Sequence, residues 1–163
     1  MYRHRKRLLL ELANLRDDGI ERFRKLNASR FPYEPDSFLL NCRDRLRKAW
    51  PAPQEEKQDF VDDLVHHSAI KHGISGFIAP ISAGRLTAAP QHFLSQLAVA
   101  ILENWRSFAI CRNPECETRY FLAKRGTQKY CERGACTDYA QRQYARAWWD
   151  KEGRRRRAAK TTK

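Results

Sequence analysis

Four of the five cysteines in this 163-residue chain fall within 26 positions, in the order Cys111-x4-Cys116-x14-Cys131-x4-Cys136. Two close pairs, separated by enough chain to fold back, suit a tetrahedral metal ion. Each pair forms one edge of the tetrahedron, and the intervening chain brings the edges together. Thiolates about 2.3 Å from the ion suit Zn2+, and four of them leave no coordination position for water or substrate. Such a site builds structure and does no chemistry of its own. The competing readings are an iron–sulfur cluster on the same ligands, or cysteines that are free or joined in disulfides. An odd cysteine count does not suit a disulfide framework. The fifth, Cys42, stands between Leu40 and Leu46 in a helical pattern and reads as a small buried hydrophobe.

The residues around the ligands divide into short elements. Asn113-Pro114 supplies a turn inside the first pair and Arg133-Gly134 one inside the second. Arg119–Leu122 and Gln128–Tyr130 read as two strands of a hairpin around Arg125-Gly126. A helix is expected from Thr137-Asp138 to about Glu152, ended by Gly153. The order of knuckle, hairpin, knuckle and helix is that of a treble-clef-like finger. A module of roughly 50 residues with so little apolar content needs a metal to hold it together.

The stretch from Trp105 to Trp149 resembles the CGNR zinc finger. The resemblance rests on Cys111-Arg112-Asn113-Pro114-Glu115-Cys116, on Lys129-Tyr130-Cys131, and on Cys136 followed by Ala140 and Arg142. Such fingers end bacterial proteins of the ABATE type, described as stress-induced transcription regulators. The resemblance implies one structural zinc on Cys111, Cys116, Cys131 and Cys136, and a role in DNA binding. It covers about 45 of the 163 residues. Cys136 is followed by Thr137-Asp138-Tyr139 where the family has Gly-Asn-Arg, so an arginine at the place of Tyr139 is missing.

The N-terminal part reads as mostly helical. Leu8, Leu12, Leu15, Ile20, Phe23 and Leu26 recur at nearly helical period over 2–27, with Gly19 as a potential interruption. Phe31-Pro32-Tyr33-Glu34-Pro35 is a loop, because two prolines in four residues exclude helix. A second helix runs from Asp36 or Ser37 to about Trp50, stopped by Pro51 and Pro53. A third spans 54–72, acidic at its start and capped by Gly73. Residues 74–89 change to Gly, Ser, Ala and Pro, with Gly76–Ile81 as a strand or an extended connection. Pro90 opens a strongly apolar helix to Trp105. Only Arg106–Ile110 separate it from the first ligand, with no flexible linker, so the finger is expected to sit fixed on the helical domain through Trp105 and Phe108. The fold class is therefore α+β and mostly α: a helical domain at 1–105, the finger at 106–152, and a basic tail without fixed structure at 153–163.

Charge is distributed unevenly. The net charge is +13; residues 1–104 carry +3 of it and residues 105–163 carry +10. A basic half attracts phosphate polyanions over about a Debye length, roughly 8–10 Å in physiological salt. The candidate contacts are Lys124, Arg125, Lys129 and Arg133 around the hairpin, Arg142 and Arg146 on the last helix, and Arg154, Arg155, Arg156 and Arg157 in the tail. On that helix Tyr139, Arg142, Gln143, Arg146 and Asp150 share a solvent face, while Ala140, Tyr144, Ala147 and Trp148 are expected to pack on the hairpin. Tyr120, Tyr130, Tyr139 and Trp149 could stack on unpaired bases.

Catalysis finds little support. His66-His67 and His72 lie near Asp62 and Asp63, and His67 with Asp63 forms an i, i+4 pair of the kind usually found on surfaces. There is no phosphate loop, dinucleotide fingerprint or nucleophile elbow. Nor is there a membrane span, since the longest apolar run, Leu97–Leu102, is far below the roughly 20 residues required. Arg3–Arg7 precede Leu8-Leu9-Leu10 as in a signal peptide, but Glu11, Asn14 and Arg16 interrupt and no cleavage site follows. The chain reads as a cytoplasmic binding protein and not an enzyme, with nucleic acid, DNA ahead of RNA, as its partner. Two other classes stay open: a protein-interaction module whose basic face meets an acidic partner, and a domain at 1–105 that senses a small-molecule effector or is an enzyme without a recognisable motif.

Overall fold

The computed structural model describes residues 2–27, 35–72 and 93–161. Among the described residues five α-helices precede Cys111: α1 (Tyr2–Ala13), α2 (Ile20–Asn27), α3 (Asp36–Ala49), α4 (Gln54–His72) and α5 (Phe93–Asn104). Helix α5 packs against α1 and α4, and α3 against the same two, so the four enclose one core. Leu8 and Leu12 of α1, Leu39 and Leu46 of α3, Val61 of α4 and Leu97 and Ile101 of α5 are almost wholly removed from water there. Cys42 lies in this core, as its leucine neighbours imply. The expected loop at 31–34, the connection at 74–89 and the start at Pro90 lie outside the described residues. Among the described residues, no helix is long and apolar enough to cross a membrane.

The segment 2–27 does break, but at Asn14 and not first at Gly19. A helix end leaves carbonyls without intrahelical partners. Here α3 supplies the partners: Arg47 donates to Ala13 O (2.8 Å) and Leu15 O (2.7 Å). The buried Arg43 reaches Leu15 O at 3.4 Å. Arg43 is held in turn by Asp17 and by Asp44, the latter at 2.7 Å. Two arginines from a neighbouring helix thus do the work that a C-terminal glycine usually does.

A single 3₁₀ turn, Trp105–Ser107, leads from α5 straight into strand β1 (Phe108–Ile110). Strand β1 pairs antiparallel with β2 (Tyr120–Leu122), Phe108 opposite Leu122 and Ile110 opposite Tyr120. The strand expected at Gln128–Tyr130 is not one. That stretch is too polar to cover an apolar face, and it is tied down singly: Arg112 N–H donates to Lys129 O at 3.0 Å, and the Gln128 side chain bonds Lys124 N–H and Tyr130 O. The first cysteine pair therefore occupies the turn of the β1–β2 hairpin.

Side chains alternate across a strand with period two, and this ribbon uses both faces. Phe108, Ile110, Tyr120 and Leu122 pack on the helical core, whereas Ala109 and Phe121 pack among the cysteines. The ribbon is a wall shared by two cores. Trp50, at the end of α3, fixes it from the helical side: its ring stacks on Phe108 at 3.9 Å and 9°, and Nε1 donates to Ala109 O at 3.0 Å. Trp105, expected to share the bridging role, is only half-buried and faces Arg106 instead.

Helix α6 (Gly134–Trp148) starts three residues earlier than expected, so that Cys136 falls in its first turn. It does not end at Gly153. A π-helical turn, Trp149–Gly153, carries it into α7 (Arg154–Thr161), where the composition suggests a tail without fixed structure. At 1.5 Å per residue the continuous rod is about 40 Å long.

Candidate metal centre

All four sulfurs of Cys111, Cys116, Cys131 and Cys136 lie within 4.8 Å of one another, and all four residues are buried. Tetrahedral thiolates about 2.3 Å from an ion stand about 3.8 Å apart; Cys116 and Cys131 Sγ are separated by 3.7 Å. No disulfide joins any of them. Cysteines that had merely clustered as hydrophobes would not need N–H donors aimed at sulfur, and these have two. Asn113 Nδ2 lies 3.3 Å from Cys136 Sγ, and Cys131 N–H lies 3.4 Å from Cys111 Sγ. The residues fit a metal ion, and the cluster can hold one.

Each ligand is placed by local chain chemistry. Cys111 follows β1 and is held by its N–H bond to Arg119 O, at 2.7 Å. Asn113 forms the turn between the first pair: its Oδ1 accepts from Glu115 N–H at 3.2 Å and its carbonyl from Cys116 N–H at 3.1 Å. Cys136 sits where the positive end of the α6 dipole favours a thiolate. Burial works against ionisation of that thiol, but donation from Asn113 and the neighbouring thiols outweighs it and holds Cys136 below the ordinary value. Burial pushes the Cys131 thiol up to about 12 and raises Cys116 as well. In the metal-free state at least two ligands are therefore protonated at neutral pH.

Asn113 is the residue that sequence reasoning undervalued. It was legible as half of an Asn-Pro turn, but its side-chain amide also joins the first knuckle to the second. Its near-complete burial beside four cysteines is the signal that goes with that role.

The basic residues divide along the α6–α7 rod. Lys124 and Arg133, at the metal end, are ion-paired with Glu132 (2.7 Å) and Glu117 (3.7 Å); Arg125 and Lys129 are exposed nearby. Arg142 and Arg146 are exposed one turn apart along α6, and Arg154–Arg157 are exposed on α7. Arg133 and Arg154 are separated by about 30 Å of helix, so these side chains line an extended surface and not one compact patch. The face expected to pack on the hairpin does so only at its start. Ala140 is buried and Tyr144 touches Tyr130 edge-on at 6.1 Å, but Ala147 and Trp148 face solvent. Tyr120 is committed to the helical core, and Tyr130 and Tyr139 lie against each other at 5.9 Å.

The carboxylates near the histidines have other partners. Asp63 is ion-paired with Arg45, and Asp62 accepts from Gln58 at 2.7 Å. His66 is exposed, and the side chains of His67 and His72 lie outside the described residues. The chain matches no protein-family model, and no curated protein or solved structure is significantly similar to it.

Proposed function

We propose that this chain is a zinc-binding, nucleic-acid-binding protein that acts in transcription regulation, DNA being preferred to RNA. The observation that carries the reading is a single helix with a metal ligand in its first turn and exposed arginines along its length. Four thiolates would complete a tetrahedral shell around zinc, so the ion holds the module's fold and offers no open position for catalysis. With the ion in place, α6 is anchored to the β-ribbon and through it to the helical domain. The arginines of α6 and α7 then meet a phosphate backbone from a fixed support. The resemblance to CGNR fingers points the same way, without the arginine that family carries where Tyr139 stands. The test is elemental analysis of protein purified without added metal, followed by titration with duplex DNA at low salt. About one equivalent of zinc and salt-sensitive binding are expected; binding that ignores salt would remove the phosphate reading.

A second reading rests on a different observation. A cleft of about 510 Å³ opens beside α1 and α2, lined by Asn14, Leu15, Arg22, Phe23 and Leu26 among others. It joins apolar surface to charged groups, as small-molecule sites do. An effector bound there would touch Asn14, which is bonded to β2. A screen of small molecules by thermal shift tests this sensor role.

A further inference from the structure

We infer that the α6–α7 junction is a stacking platform for an unpaired polynucleotide strand; the inference rests on the nucleic-acid reading and narrows it. Exposed apolar side chains that stand together, unlike single ones, mark a surface that binds something. Here three stand together along one stretch of helix, Tyr144, Trp148 and Trp149, with 55%, 50% and 47% of their surfaces exposed. The two indoles are nearly parallel, at 12° and 5.6 Å. Each carries a guanidinium: Arg157 lies 4.5 Å from the Trp149 ring and Arg156 5.9 Å from that of Trp148. One turn before Trp148, Tyr144 borders a hollow of about 280 Å³ that Tyr130, Gln128 and Lys129 also line. Aromatic faces with interleaved cations are what successive unstacked bases and their phosphates require.

A duplex can meet the arginines here but not the ring faces, because its bases hide their own faces in the stack and show only edges in the grooves. An unpaired strand shows both its bases and its phosphates. The charge complementarity is direct: Arg154 to Arg157 follow the indoles one helical turn on, and only Asp150, ion-paired with Arg154 at 3.0 Å, and Glu152 stand between. A base displaces the guanidinium that now covers Trp148 or Trp149 and takes its place on the ring, the freed arginine turning to the flanking phosphate, and the hollow at Tyr144 receives a neighbouring base beside Lys129.

The experiment uses the full, metal-loaded chain and fluorescence anisotropy at about 50 mM salt. Its probes are a thymidine DNA strand of roughly 15 nucleotides, the matching uridine RNA, an abasic strand with the same phosphates, and a blunt duplex. A stacked strand of either sugar, bound about tenfold more tightly than the abasic strand, supports the inference. Trp148→Ala should weaken the base-bearing strand by roughly tenfold and leave the abasic strand unchanged, while Trp148→Phe restores most of the loss. Metal content and far-ultraviolet dichroism equal to the parent's show that the variant is folded. If the abasic strand binds as tightly as the thymidine strand, or the duplex displaces it, stacking is overturned and the broader nucleic-acid reading stands. If none of the four binds, both fall, and an acidic protein becomes the partner to seek.

Discussion

The side-chain amide of Asn14 bonds both main-chain groups of Tyr120: Nδ2 donates to Tyr120 O at 2.8 Å, and Tyr120 N–H donates to Oδ1 at 3.0 Å. One residue from the end of α1 thereby serves as an extra rung on the open edge of β2. It occupies the place where a third strand would pair, and it links the helical domain to the metal module by polar geometry as well as by packing.

Removing that rung should therefore be felt in the metal module. Asn14→Ala leaves two main-chain groups short of partners and should cost about 1–3 kcal/mol. Asn14→Asp keeps the acceptor but turns a carboxylate toward Tyr120 O, and should cost at least as much. Denaturant unfolding of the metal-loaded proteins measures both; an Asp variant as stable as the parent would show that the two-way bond is not made in solution.

The metal site has a pH signature. In the metal-free fold the raised Cys131 thiol contributes stability that is present below its ordinary value of 9.0 and lost as pH rises toward about 12. Thiolates bound to a metal behave oppositely: their stabilisation is present at neutral pH and lost as pH falls and protons reclaim the sulfurs. Loading zinc at pH 7 should release at least about two protons per ion, since burial keeps Cys116 and Cys131 protonated beforehand. Calorimetry in buffers of different ionisation enthalpy counts them. Cys131→Ser should leave the helical domain folded and make residues 106–152 protease-sensitive; a variant that stayed resistant would displace Cys131 from the ligand set.

Gly153 is required by a neighbour and not by a turn. A Cβ there would stand 1.6 Å from Cε3 of Trp149, so Gly153→Ala must move the indole. The stacked pair Trp148–Trp149 should come apart, lowering the near-ultraviolet dichroism of the tryptophans while metal content stays the same. An unchanged spectrum would mean that Trp149 does not lie on Gly153.

Salt dependence separates the parts of the basic rod. Each phosphate neutralised on duplex DNA contributes about −0.9 to the slope of log affinity against log salt. Deleting residues 154–163 should flatten that slope and weaken all sequences alike. Arg142→Ala and Arg146→Ala should cost roughly 1–3 kcal/mol on a preferred site and less elsewhere if α6 reads bases. Helix variants that lose only what the deletion loses would mean contact with the backbone alone.

The four ligands and the helix spans at 36–49 and 54–72 could be read from the chain because spacing and punctuation are local signals. The ribbon could not. Phe108 and Ile110 look like a join after α5, and only the position of the helical core reveals that they pair with Tyr120 and Leu122 to wall it off. Asn14 and Arg47 were equally silent, since an amide that caps a strand 106 positions away and a guanidinium that ends another helix leave no periodic trace. The helix of the tail is silent for a related reason: four arginines suggest a solvated coil, whereas helix α6 propagates into them and Trp148 and Trp149 lie beneath Arg156 and Arg157.

The π-helical turn at Trp149–Gly153 acts as a clutch between the two halves of the rod. A π turn takes in one residue more than an α turn, so everything beyond it is rotated by about 100° from the register that α6 would have continued. Arg154 to Arg157 consequently point along a bearing that the spacing from Arg142 and Arg146 does not anticipate. Deleting Lys151 alone would let the helix close up as an ordinary α-helix and leave the four arginines on the bearing they now hold. Keeping all five residues but winding them as α-helix would instead turn every arginine by that angle.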